Sequence, residues 1–327
     1  MNNLSRKLVL AFLLGFLVVL GIAFFSDYRA VAGALAKFDI RYLPVILVLT
    51  FLNYLLRFFK WQYLLRQIDV EVAGKDSFGI FLSGLAMSMT PGKVGELLKS
   101  VLLKEIKGVP VSRTAPVIFA ERLSDGFAML ILALAGMGVF RYGRQMLAVT
   151  AGLMLAVLLV VFLAVYSPSV ARRFISLVAR FPLLNKFEQA LHRLFDSTLR
   201  VVRPRALAYC VLIGTVSWFF ESVAFYFVFI GLGYKVSLLA ATFTLAFSTV
   251  VGALSMLPGG LGAAEGSILG ILLFLGVPDS IAGGATIIIR FCTLWFGVLL
   301  GLAALFRYRG VVGIGQKDEA DEFRQGS

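Results

Sequence analysis

Six apolar runs, each close to the length that crosses a membrane, fix what this chain can become. They fall at about 8–25, 42–65, 114–139, 146–166, 206–231 and 284–306. At 1.5 Å per residue, a hydrocarbon core of about 30 Å takes roughly twenty helical residues. Of 327 residues 60% are hydrophobic and only 15% charged, so the solvent for most of the chain is lipid. Backbone polar groups in lipid must be satisfied within the protein, which leaves helices or closed barrels, and the short alternating segments of a barrel are not evident. The expected fold class is therefore all-α, a polytopic membrane protein. The run at 8–25 has Arg6 and Lys7 before it but no clean small-residue cleavage site before Ser26, so it reads as a retained span rather than a signal peptide.

Two further apolar regions are interrupted. Residues 77–103 break at Pro91-Gly92, and residues 237–275 break at Pro258-Gly259-Gly260. Each reads as two half-length helices meeting at a break, a re-entrant hairpin, because each half looks too short to cross. Such backbone is tolerated at membrane depth only where protein or a watery cavity satisfies its amides. With six spans and two hairpins, 23 of the 31 Lys and Arg residues fall on one side, which predicts that both termini face the cytoplasm of a cell inner membrane. The stretch 167–205 reads as a cytoplasmic amphipathic connector, and 311–327 as a disordered polar tail.

The breaks are copies of each other. Ser88-Met-Thr-Pro-Gly-Lys-Val-Gly-Glu96 stands beside Ser255-Met-Leu-Pro-Gly-Gly-Leu-Gly-Ala-Ala-Glu265, with Ser, Met, Pro and both Gly in register. An arginine inside an apolar span follows each proline at nearly equal distance, Arg122 after Pro91 and Arg290 after Pro258. The unit at about 42–139 is thus duplicated at about 206–306, and the expected topology makes the copies inverted. Interrupted helices at matching places in inverted repeats point to a transporter's binding site. Close helix packing through glycines is the competing explanation. It leaves the prolines in register unexplained.

Charges inside the apolar runs need partners, since an ionisable group at the bilayer centre costs about 2.5–3.5 kcal/mol on insertion scales. Glu121, Arg122 and Asp125 share one span, and the spacing of Arg122 and Asp125 lets them pair. Glu221 lies mid-span, Glu265 and Arg290 belong to the second copy, and Lys93, Glu96 and Lys99 adjoin the first break. Acid and base nearly balance. Half-helix N-termini beside Gly92 and Gly259-Gly260 would add affinity for a phosphate headgroup. A purely structural ion pair remains the other reading for Arg122 and Asp125. Lys99 is expected to snorkel toward the membrane edge, and Arg57, Lys60 and Trp61 to form an interfacial anchor.

No metal site, cofactor or nucleic-acid partner is expected. Cys210 and Cys292 sit in apolar runs away from the single His192, and the net charge of +13 gathers beside the spans, where anionic lipid is the natural partner.

Taken in order, "MTPGKVGELLKS", "ERLSDG", "LPGGLGAAEG" and the lone arginine of the last span resemble the lysylphosphatidylglycerol synthase transmembrane-region family of flippase-like proteins over nearly the whole chain. The resemblance implies lipid translocation, carried by Pro91, Gly92, Gly95, Glu96, Glu121, Arg122, Asp125, Pro258, Gly259, Gly260, Gly262, Glu265 and Arg290; the residue reading adds Lys93 and Glu221. Aminoacylating members carry a soluble transferase domain after the membrane region, and this chain stops shortly after Arg309, so no aminoacyl transfer is expected of it. The substrate stays open among an anionic phospholipid, a glycolipid and a polyprenyl-phosphate-linked lipid. Two other readings remain, a membrane-embedded enzyme using Glu121, Asp125 or Glu265 as acid or base, and a scaffold for a lipid-modifying enzyme or glycosyltransferase. A homodimer is also left open.

Overall fold

Proline and serine set where the long helices begin. Pro44 occupies the first turn of α2 (Leu43–Arg66), where its missing N–H costs nothing, and Pro204 does the same for α6 (Pro204–Gly231). The Ser237 hydroxyl accepts from the Ala240 N–H and starts α7 (Leu238–Leu254). A computed structural model describes residues 28–139 and 203–308, with isolated positions between them. Around α2, α6 and α7 it places α1 (Tyr28–Ala36), α3 (Gly74–Ala86), α4 (Leu98–Lys107), α5 (Val111–Gly136), α8 (Ala263–Phe274), α9 (Asp279–Arg290) and α10 (Phe296–Arg307). A π-helical turn, Phe291–Trp295, joins α9 to α10.

The described residues contain no strand, as the all-α expectation requires. Three of their helices are long and apolar enough to cross a membrane: Ile40–Arg66, Pro204–Gly231 and Asp279–Arg307. Outward side chains on these helices, among them Val48, Leu212 and Leu299, are more than half exposed, which suits a lipid solvent. α5 has the length of a span at 26 residues but carries buried charge along one side. The expected spans at 8–25 and 146–166 and the tail at 311–327 lie outside the described residues, as does nearly all of the connector at 167–205.

Each interrupted segment folds back on itself. Gly84 of α3 lies against the aliphatic stem of Lys99 on α4, and Gly252 of α7 lies against Ala264 of α8. At 13 and 10 residues, α3 and α4 are about 20 and 15 Å long, and α8 at 12 residues about 18 Å; α7 reaches about 25 Å at 17 residues. None matches a core of about 30 Å.

Packing between the two copies is symmetric. α2 pairs with its counterpart α6, while α3 packs on α10 and, reciprocally, α7 packs on α5. Exchanging the copies maps these pairs onto each other, as a pseudo-two-fold relation requires, although α6 packs more extensively on α5 than α2 does on the α9–α10 span. The axis passes through a reciprocal pair: Asn53 Nδ2 donates to the Ser217 carbonyl and Ser217 Oγ to the Asn53 carbonyl, both at 3.0 Å. Two polar side chains thereby fix the register of α2 against α6 where apolar packing alone would let them slide.

Candidate functional site

Both breaks meet on that axis. Met89 before the first break covers Gly259 of the second, and Met256 before the second covers Gly92 of the first, so closely that a Cβ on either glycine would come within 3 Å of the methionine's thioether end. The backbone is left-handed in both turns, with Gly92 at φ 58° and Lys93 at φ 56° in one, and Gly259 at φ 62° and Gly260 at φ 67° in the other. Only glycine takes these angles freely, so the Pro-Gly pairs seen in the sequence are a conformational requirement. Thr90 Oγ1 accepts from the Gly95 N–H at 2.7 Å and closes the first turn.

Between the breaks lies a cavity of about 410 Å³. Gly92, Lys93 and Glu96 line it from the first break, Gly259 and Gly260 from the second, Arg122 and Asp125 from α5, Glu221 from α6 and Arg290 from α9. Thus both repeat arginines and both breaks, far apart in sequence, border one space. Pro91 and Pro258 start the two turns, and Gly95, Gly262, Glu121 and Glu265 support the walls from outside it.

Ion pairing behind the cavity is dense. Asp125 receives Lys60 Nζ at 2.5 Å, Arg122 Nη2 at 3.2 Å, the Trp218 indole N–H at 3.1 Å and, more loosely, Arg57 Nε at 3.9 Å. Glu121, fully buried, binds Lys99 Nζ at 2.5 Å, and Glu96 lies 3.5 Å from Arg122 Nε and 3.8 Å from Lys99. In the second copy Arg290 donates to Glu265 at 2.6 Å and to the Gly259 carbonyl at 2.8 Å, while the other Glu265 oxygen accepts from the Gly262 N–H at 2.7 Å. Here the expectation of a bare half-helix N-terminus must be corrected. α8 is capped by its own Glu265 carboxylate, so that end offers an anion less than its position suggested.

Two other expectations are overturned. Lys99 does not snorkel: it is 2% exposed, lies over the Trp61 ring at 4.5 Å and serves Glu121. Arg57, Lys60 and Trp61 are not an interfacial anchor. Lys60 and Trp61 are fully buried, and Arg57 lines the cavity at 5.2 Å from the Trp218 ring centroid. A cation placed near a span's end in sequence is drawn inward when a carboxylate on a neighbouring helix neutralises it.

A residue-level symmetry, visible only in the structure, accompanies this arrangement. Asn53 and Ser217 are 164 positions apart, and the same offset matches Tyr54 with Trp218 and Arg57 with Glu221. Tyr54 donates to the Thr293 carbonyl at 2.6 Å across the axis, while Trp218 donates to Asp125; Thr293 and Asp125 sit at the same distance past Arg290 and Arg122. One bond is thus the image of the other.

Several buried polar atoms of the network are short of a directed hydrogen bond. Arg57 Nε, Arg122 Nε and Nη2 and Asp125 Oδ2 are buried without a properly directed hydrogen bond among the described residues, although ion-pair distances are met. Lys93 and Glu221, which also line the cavity, have no side-chain hydrogen bond or ion pair there. Such groups are costly to bury unless something completes them.

A family model described as the lysylphosphatidylglycerol synthase TM region matches residues 12–301. Among similar proteins, a UPF0104 membrane protein of Methanothermobacter thermautotrophicus is 26% identical, the match covering 88% of this chain and 94% of the relative. Another, from Pyrococcus horikoshii, is 21% identical over 90% of this chain and 95% of its own. A third, from Methanocaldococcus jannaschii, is 24% identical over 65% of this chain and 90% of its own.

Proposed function

The chain belongs to the lysylphosphatidylglycerol synthase transmembrane-region family, and from that premise and the cavity's geometry we propose that it moves an anionic lipid between the leaflets of the inner membrane, as a flippase or scramblase. The observation that carries the reading is the single cavity in which both breaks, Arg122 and Arg290 meet. Asp125, Arg57 and Glu221 all lie near the middle of their long helices, so a span-like placement of these helices puts the cavity near the bilayer midplane. A headgroup entering there exchanges water for the cationic wall formed by Lys93, Arg57, Arg122 and Arg290, and acyl chains stay in lipid between the repeats. The two broken segments are then re-entrant hairpins approaching from opposite leaflets, with both termini in the cytoplasm. The lipid leaves chemically unchanged, which makes the protein a carrier and not an enzyme.

Leaflet exchange in reconstituted vesicles tests the proposal. With fluorescent phosphatidylglycerol, the native protein should accelerate loss of outer-leaflet signal, and Arg122→Ala should slow that exchange by about tenfold or more, the effect of one or two lost charge-assisted hydrogen bonds. Exchange by the native protein no faster than in protein-free vesicles, or equal rates for both proteins, would sink the reading. Lipid recovered afterwards should keep its mass.

A further inference from the structure

We infer that Lys93 is the docking cation of the cavity and that the headgroup it takes is a singly charged phosphodiester; this rests on the transport site proposed above. Three independent observations converge. The first is backbone strain. Lys93 holds a left-handed conformation at φ 56°, ψ 22°, where the matching turn of the second copy has Gly260. Glycine fills that place without strain in the same fold, so the lysine side chain is retained against a conformational cost, as happens where a group has work to do.

The second is pairing. Among the described residues of the cluster every cation except Lys93 has a carboxylate within 4 Å, and every carboxylate except Glu221 has a cation. Lys93 lines the cavity with no partner for its ammonium among those residues. Arg57 and Arg122 line the same cavity, each already within 4 Å of a carboxylate. An unpaired ammonium flanked by two guanidinium groups makes the cavity wall attractive to the oxygens of a phosphate.

The third is charge. The ion pairs of the cluster bring together Arg57, Lys60, Lys99, Arg122 and Arg290 with Glu96, Glu121, Asp125 and Glu265, and the unpaired Lys93 and Glu221 complete the set. Six basic side chains thus face five carboxyl groups, a formal excess of one positive charge. A phosphodiester monoanion cancels that excess. A phosphomonoester, carrying a second charge near neutral pH, overshoots it and meets Glu221, which is 6% exposed and already unpaired in the same space. Glu221 therefore penalises the doubly charged competitor. Its image across the axis is Arg57, so the two copies present opposite charge to the two sides of the ligand.

Titration of the detergent-purified full chain with short-chain lipids, read by the heat of binding, tests this without requiring transport. Phosphatidylglycerol should bind, and phosphatidic acid and phosphatidylcholine should bind about tenfold more weakly or worse. Lys93→Gly should weaken phosphatidylglycerol binding by about tenfold or more while its melting temperature equals or exceeds the native value, since the strain is relieved. Lys93→Arg should restore binding, and Glu221→Gln should admit phosphatidic acid. Binding of phosphatidylglycerol by Lys93→Gly as tight as by the native chain, or equal binding of phosphatidic acid, would overturn the inference. Should the binding pattern hold while leaflet exchange fails, the transport reading falls and the headgroup assignment stands. Should exchange persist undiminished in Lys93→Gly, the headgroup assignment falls and the transport reading stands.

Discussion

Replacing Asp125 by alanine should destabilise the protein by about 3–5 kcal/mol, the range seen when one partner of a buried ion pair is removed. Asp125 is the hub on which Lys60, Arg57, Arg122 and the Trp218 indole converge. Lys60 is fully buried, and the only other acceptor of its ammonium among the described residues is the backbone carbonyl of Glu121 at 3.5 Å. Without the carboxylate an ammonium is stranded in a low-dielectric interior, a far larger penalty than the loss of an exposed salt bridge. A double variant, Lys60→Met with Asp125→Ala, should recover part of the loss, because it removes the stranded charge; Arg57 and Arg122 remain short of a partner, so recovery should be incomplete. Thermal melts in detergent decide the matter. A single variant melting with the native protein would show that the pairs contribute nothing to the fold.

Valine at Gly92 or at Gly259 should also destabilise the protein, less than the Asp125 change and by similar amounts at the two sites. A β-branched side chain in a left-handed turn costs about 1–2 kcal/mol. Its Cβ also meets the thioether end of Met256 or Met89, but a flexible methionine end can move aside, so the backbone conformation carries most of the cost. The turn that seats each break against the other's methionine would be distorted, so leaflet exchange should fall together with the melting temperature. The contrast with Lys93→Gly is diagnostic: adjacent positions in one turn, one substitution adding strain and the other releasing it. Native melting and native exchange in both valine variants would mean that the breaks do not meet as described.

Much of this arrangement is legible in the chain because its signals are local or repeated. Pro91-Gly92 and Pro258-Gly259 interrupt apolar runs, and their shared register with Met89 and Met256 announces the duplication; the methionines then interlock across the axis. The Arg122 and Asp125 pair follows from helical spacing. Pairings between distant helices are not legible in that way. Lys60 meets Asp125 at a separation of 65 residues, and Lys99 meets Glu121 at 22 across a helix boundary. Near a run's end, such cations look like anchors, and nothing in their immediate neighbours says that a carboxylate waits on another helix. The match of Asn53-Tyr54 and Arg57 to Ser217-Trp218 and Glu221 carried the missing information, but it shares no residue type and emerges only once the axis is located. The Glu265 cap was concealed for a related reason: the side chain serves both Arg290 and its own helix start, and sequence order alone does not rank the two.

The most direct test of a headgroup held between the two breaks is photochemical. A phosphatidylglycerol bearing a photoreactive group at its headgroup, reconstituted with the full chain and irradiated, should leave adducts on Pro91–Leu97 and on residues 257–262. Excess unlabelled phosphatidylglycerol should suppress them. Adducts confined to connecting segments such as 67–73 and 107–110, with both breaks unlabelled, would rule out a headgroup site between the breaks.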